Sequence, residues 1–242
     1  MNNVKGIFVT GTNTGVGKTV VTAALLRLAR RHGASCIGLK PVASGSARAA
    51  AAAPLRNADA LELQAAGSMP VPYETVNPYC FEPPIAPHLA AREAGVALDL
   101  SALVAWYRQS SRGADLVLME GAGGWRVPLH PAGFLSDLPE ALGLDVLLVV
   151  GLTLGCLNHA RLTAEAIART GRCRLTGWIA NEVDPAFERV DENLETLAGL
   201  LGGPPLARVP DLRQTRRSSF GHPVHEFADE SRLLDALALG AA

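Results

Sequence analysis

The chain has 242 residues, 48% of them apolar and 19% charged, which is enough to bury a core and too little charge for a disordered chain. Its 23 acidic and 22 basic residues nearly cancel, so no bulk field favours nucleic acid or an anionic membrane surface, and a small-molecule partner is expected. Four scattered cysteines without a C-x-x-C pair argue against a disulfide framework or zinc site and fit a reducing cytoplasm, while the most apolar run, 146–152, is far too short to span a bilayer.

In chain order, β-branched and Leu-rich runs bounded by Gly, Pro or Asn predict strands at 6–10, 36–39, 116–119, 146–150, 177–180 and 206–209. Leu and Ala recurring at three- and four-residue steps predict helices at 18–31, 100–112, 158–170 and 189–201. The Ala-rich patch 47–53 is expected to be an exposed loop or frayed helix, and six prolines between Met69 and His88 mark a long irregular excursion of the kind that covers a site. Strand alternating with helix implies α/β architecture in one domain over 1–242: a doubly wound, mostly parallel sheet with helices on both faces.

The strongest motif is G-T-N-T-G-V-G-K-T at residues 11–19, placed after a strand and opening a helix. Such a loop turns backbone N–H groups and a helix N-terminus onto a phosphate chain; Lys18 adds a point charge, and the Thr19 hydroxyl can reach Mg²⁺. Five residues, not four, separate Gly11 from Gly17. The fold expected is therefore of the P-loop NTPase type.

Only three of the basic residues are lysines, Lys5, Lys18 and Lys40, and Lys18 and Lys40 fall at or just beyond predicted strand ends, where open α/β sheets bind ligands. Lys40 precedes Pro41, which biases it to an extended backbone leading into P-V-A-S44-G-S. Glu120 ends a third apolar strand and opens G-A-G-G at 121–124, where a carboxylate can hold Mg²⁺ directly or through water. Asp59, in N-A-D-A-L, reads on pattern alone as a helix cap.

Together these residues resemble the dethiobiotin synthetase family. The likeness runs from the phosphate loop through K-P-V-A-S-G-S, N-A-D-A-L, T-V-N-P-Y-C-F, A-P-H, E-G-A-G-G-W, V-V-G-L-T-L-G-C-L-N-H-A and G-W-I-A-N to about Pro210, nearly nine tenths of the chain. The resemblance implies ATP- and Mg²⁺-dependent closure of a cyclic urea, in which 7,8-diaminononanoate and CO₂ give dethiobiotin, ADP and phosphate. It implies Gly15, Val16, Gly17, Lys18, Thr19 and Val20 on the ATP phosphates, with Gly121, Ala122 and Gly123 beside them and Thr19, Asp59 and Glu120 on Mg²⁺. For Asp59 this reverses the helix-cap reading.

The same resemblance implies Lys40, Lys18 and Thr14 at the reacting centre, and Thr14, Lys40 and Ser44 on the substrate. Gly155, Leu157 and Asn158 would serve the substrate of the neighbouring subunit in a homodimer, although Asn158 could instead cap its own helix. Asn181, Glu182, Pro210, Asp211 and Leu212 would face the base, and the following run, 213–217, lacks the acid expected near an adenine. His88 and His159 sit in matching motifs, with packing or capping weighed against proton transfer; the other four histidines are expected at the surface.

A rival is a switch ATPase of the chromosome-partitioning type, but such proteins carry a second lysine inside the loop, where this chain has Asn13. The stretch 231–239 also lacks the basic face of a membrane-seeking helix. A glutamine-dependent ligase of the cobyrinate type would need an appended glutaminase domain with a nucleophilic cysteine.

Overall fold

A computed structural model describes residues 4–130, 133–213, 215, 217–222, 225–227 and 229–239. The apolar runs pair into one parallel sheet, because strands that are apolar on both faces need cover on both. Its strands are β1 (Lys5–Gly11), β2 (Cys36–Leu39), β3 (Leu116–Glu120), β4 (Asp145–Gly151), β5 (Leu175–Asn181) and β6 (Ala207–Val209). Their spatial order is β6-β5-β4-β1-β3-β2, every pair parallel. All six expected strands are present, with ends displaced by two residues at most.

Helices cover both faces. On one, α1 (Lys18–Arg31) and α2 (Ala58–Ala66) pack with Ile7, Val9, Leu116 and Leu118. Tyr73 and Val76 of the short α3 (Tyr73–Val76) pack with Ala60 of α2 in a small cluster of their own. On the other face of the sheet, α4 (Pro87–Glu93), α5 (Leu100–Ser110) and α6 (Asp137–Leu142) precede α7 (Cys156–Ala168) and α8 (Val190–Leu201) in the chain, and Leu103 and Leu138 meet Phe8, Val117 and Met119. Cys156, Ala160 and Leu197 meet Leu148, Val150 and Trp178. Phe8 thus faces away from Ile7 and Val9, as the two-residue period of a strand requires. A last helix, α9 (Ser231–Ala236), returns to the α1 side, where Phe227, Leu233 and Leu237 enter the core.

Two expectations are refined. The Ala-rich patch is exposed but not helical: Ala47–Arg48 pairs antiparallel with Leu55–Arg56. The proline-rich excursion is built, holding α3 and a short parallel pairing of Val42–Ala43 with Tyr79–Cys80. Among the described residues no helix is long and apolar enough to cross a membrane.

Candidate active site

Strand register assembles the site. Val9 lies opposite Glu120, and Leu39 opposite Met119, so the residue after Leu39 leaves the sheet at the level of Glu120. The phosphate loop, Glu120 and Lys40 therefore stand side by side along the C-terminal sheet edge, with β1 at the centre. Asp59 arrives from α2. Its suggested role as a cap belongs to Asn57, whose side chain accepts from the Ala60 N–H at 3.2 Å; Asp59, two residues on, faces Lys40.

The Lys40 ammonium is buried between two carboxylates, 2.5 Å from Glu120 Oε1 and 3.0 Å from Asp59 Oδ2, and 3.4 Å from the Gly121 carbonyl. Burial alone would lower its pKa; Glu120 and Asp59 outweigh it and hold Lys40 above the ordinary lysine range. Burial would likewise raise Asp59, but Lys40 keeps that carboxyl below its usual range. Lys18 curls over the loop to the Asn13 carbonyl at 3.1 Å. Burial, and then repulsion by Lys40, lower its pKa to about 8. An anion entering the loop would relieve that repulsion.

Gly17 shows why the loop needs glycine. Its φ is +85°, and a Cβ there would lie 2.0 Å from Asn181 Nδ2. Asn181, 5% exposed, wedges β5 against the loop by donating from Nδ2 to the Val16 carbonyl at 2.8 Å.

The chain's oxygen donors also fit a hard cation. Thr19 Oγ1 donates to Glu120 Oε1 at 2.9 Å, whereas the buried Glu120 Oε2 has no hydrogen-bond partner among the described residues. A buried carboxylate oxygen left in that state calls for an ion or water. Among the described residues no three His, Cys, Asp or Glu side chains gather as a metal cage, so a cation here would take few chain ligands and the rest from phosphate and water, the habit of Mg²⁺. Thr19, Asp59 and Glu120 are the residues that would hold it.

A cavity of about 800 Å³ joins these groups. Thr14, Gly15, Gly17, Lys18, Thr19, Val20, Lys40, Ser44, Asp59, Glu120, Ala122 and Gly123 line it, and the proline-rich excursion closes one wall with Pro84, Ile85, Ala86 and Pro87. A smaller cleft of about 240 Å³ opens on the other side of Gly15 and Gly17. Asn181, Glu182, Asp211 and Leu212 line it, with Arg213 and Arg217 at the segment where an acid was expected; Pro210 is exposed and lies outside the lining.

Gly155, Leu157 and Asn158 do not line the large cavity. Nor does Asn158 cap α7: that helix starts at Cys156 behind a left-handed Gly155, with no side-chain cap. The sequence also did not single out His222. Expected at the surface, it is only 20% exposed, lines the cavity, and sits 3.3 Å from Asp59 Oδ1. No spacing could have revealed it, since 163 positions separate the two in the chain.

Comparison with known proteins gives three results. A family model described as an AAA domain matches residues 5–219. Among solved structures the fold resembles a ParA family ATPase from Chlorobium tepidum (TM-score 0.51, 13% identity, 99% of this chain and 91% of that one) and a chain of the MinC:MinD cell division protein complex of Aquifex aeolicus (TM-score 0.56, 15%, 91% and 87%). At such identity the likeness shows the P-loop fold alone. Curated relatives are far nearer: ATP-dependent dethiobiotin synthetase BioD of Pseudomonas paraeruginosa is 56% identical over 85% of this chain and 89% of its own length. The enzyme of the same name from Cellvibrio japonicus is 49% identical over 96% and 99%. With the phosphate loop, the second lysine and both acids assembled at one sheet edge, and with identity of this order over nearly the whole chain, the protein belongs to the ATP-dependent dethiobiotin synthetase family.

Proposed function

We propose that the large cavity closes the cyclic urea of dethiobiotin. One amine of 7,8-diaminononanoate captures CO₂ as a carbamate; a carbamate oxygen attacks the γ-phosphorus of ATP and expels ADP; the second amine displaces phosphate from the resulting mixed anhydride and closes the ring. Each step carries or develops anionic oxygen, so the chain's task is positioning and charge stabilisation, with no need of a protein nucleophile. The observation that carries this reading is the convergence of Lys40, Thr19, Asp59 and Glu120 beside the phosphate loop, in a cavity large enough for diamine and triphosphate together.

In this reading backbone N–H groups of Gly15 to Val20 and the Lys18 ammonium grip the phosphates, and Lys40 reaches the transferring phosphoryl group and the carbamate. Thr14 and Ser44 orient the diamine. Mg²⁺, when bound by Thr19, Asp59 and Glu120, would neutralise charge on the phosphate oxygens. The base lies in the smaller cleft. Because a carbonyl only accepts, Asn181 must present Nδ2 to Val16, which leaves Oδ1, an acceptor, for a base edge. An acceptor there suits the amino group of adenine or cytosine and disfavours guanine, whose O6 also accepts.

We further propose a cytoplasmic homodimer that completes the site. Leu154, in the turn that leads into α7, is 94% exposed, and on the helix Leu162 is 56% exposed, one turn beyond the exposed Asn158. Apolar residues so exposed on one face mark an association surface, and the α7 N-terminus beside it suits the carboxylate of a diamine bound to the neighbouring subunit. The decisive experiment supplies ATP, MgCl₂, bicarbonate and diaminononanoate and detects dethiobiotin by mass. Phosphate release that depends on the diamine, and not on DNA or glutamine, is expected; release indifferent to the diamine would reject the reading.

A further inference from the structure

Lys40 and Asp59 belong to different elements, yet their charges lie 3.0 Å apart. β2 is the edge strand, so past Leu39 the sheet has no outer neighbour to fix the backbone of Lys40, and Pro41 has no N–H to contribute. A buried polar network takes that role. Asn77, 2% exposed, donates from Nδ2 to the Lys40 carbonyl at 2.6 Å and to the Tyr79 carbonyl at 3.1 Å. The Lys40 N–H donates to the Val76 carbonyl at 2.8 Å. Lys40 is thus held on both backbone groups by α3 and the residue that ends it.

The same network reaches Asp59. Asn77 Oδ1 accepts from the Tyr73 hydroxyl at 2.8 Å, and that hydroxyl accepts from the Asn57 N–H, also at 2.8 Å. Asn57 caps α2 two residues before Asp59, and its Nδ2 reaches the Ser44 carbonyl at 3.4 Å. Both amide hydrogens and the carbonyl oxygen of Asn77 are engaged, as are donor and acceptor of Tyr73. One chain of hydrogen bonds therefore ties the end of β2, α3 and the start of α2.

We propose that Asn77 and Tyr73 are positioning residues for this reaction, holding Lys40 and Asp59 at the spacing the site requires. The inference rests on the reading above only in taking Lys40 and Asp59 as working groups. The rival is that the network merely satisfies buried polar groups.

The chain has only three lysines, so protein labelled with ¹³C at lysine Cε gives a sparse spectrum in which Lys40 is assigned by its disappearance in Lys40→Arg. In Asn77→Ala the Lys40 resonance is expected to move toward that of free lysine while that of Lys5, whose partner is Asp145, stays in place. In steady-state assays the same variant should lower kcat by about tenfold and raise the Mg²⁺ concentration for half-maximal rate, leaving the KM for ATP within about twofold, because the phosphate loop is not part of the network.

Tyr73→Phe keeps the ring and removes only the hydroxyl; it should shift the same resonance less, and it serves if Asn77→Ala does not fold. An unmoved Lys40 resonance in either folded variant, or a kcat unchanged beside a lowered melting temperature, would overturn the proposal. If the wild-type protein makes no dethiobiotin, the reading of the reaction fails, and the lysine spectra by themselves support or overturn the positioning.

Discussion

The two site lysines face opposite surroundings, and their variants should separate accordingly. Lys18 sits among loop groups with a pKa lowered to about 8 by burial and by Lys40, so it awaits an anion; Lys40 is already neutralised by two carboxylates. Lys18→Ala should abolish nucleotide binding together with turnover, whereas Lys40→Ala should retain ATP affinity within a few-fold and lose turnover by about 10² or more; calorimetry with ATP beside initial rates checks both. For the acids, Glu120→Gln and Asp59→Asn each remove an anionic oxygen from the proposed cation site. Each should raise the Mg²⁺ requirement, with Glu120→Gln the more severe because its Oε2 is buried and has no partner among the described residues. Rates titrated against MgCl₂ decide this, and curves superimposable on wild type would return both acids to a purely structural role.

Among the elements, the loop and the sheet base make separate demands. Gly17→Ala forces a left-handed residue costing about 1–2 kcal/mol and drives its Cβ into Asn181, 2.0 Å away. The expected outcome is loss of nucleotide binding with the sheet intact, read by calorimetry beside far-ultraviolet circular dichroism. At the opposite strand ends Asp145 joins β4 to β1, accepting from Arg174 at 2.9 Å and Lys5 at 2.5 Å. Hydrogen bonds from Arg174, then Lys5, outweigh slight burial and hold its carboxyl below the ordinary range. A group with a depressed native pKa contributes stability above its unfolded value and loses it as pH falls through the native one. Asp145→Asn should therefore lower the melting temperature at pH 7 by about 2–4 °C, for a contribution of about 1 kcal/mol. The difference should vanish in acid, and a shift independent of pH would mean the effect is not the carboxylate's charge.

At the scale of the whole molecule, the chain's last third closes the site from a distance. The segment before α9 docks on α2, where the buried Glu62 pairs with Arg27 and accepts from Ser218, and the same docking brings His222 to Asp59. Beyond one subunit, Asn158 is exposed, does not cap α7 and stands off the cavity. In the proposed dimer it acts in trans to Lys40. Inactive Lys40→Ala and Asn158→Ala proteins, mixed under conditions of subunit exchange, should then recover activity of about half the wild-type value per heterodimer, since each heterodimer holds one intact composite site. No recovery despite demonstrated exchange, or a monomer by light scattering, would reject the shared site.

What could be read from the sequence was what neighbouring residues decide among themselves. The strands and long helices follow from apolar runs and helical period, and the phosphate loop from glycine spacing between a strand and a helix, because sterics and burial act over a few residues. Even Glu120 and Lys40 could be named as strand-end groups. That they meet could not, because 80 positions separate them and their 2.5 Å contact exists only through the register of β2 on β3. The same holds for the N-A-D-A-L segment, where pattern offered Asp59 as the cap, whereas in the fold Asn57 caps α2 and Asp59 pairs with Lys40. His222 and the Asn77 network are more distant cases. Their residue types are common and their spacing follows no period, so only closure of the chain around the sheet edge turns them into parts of a site.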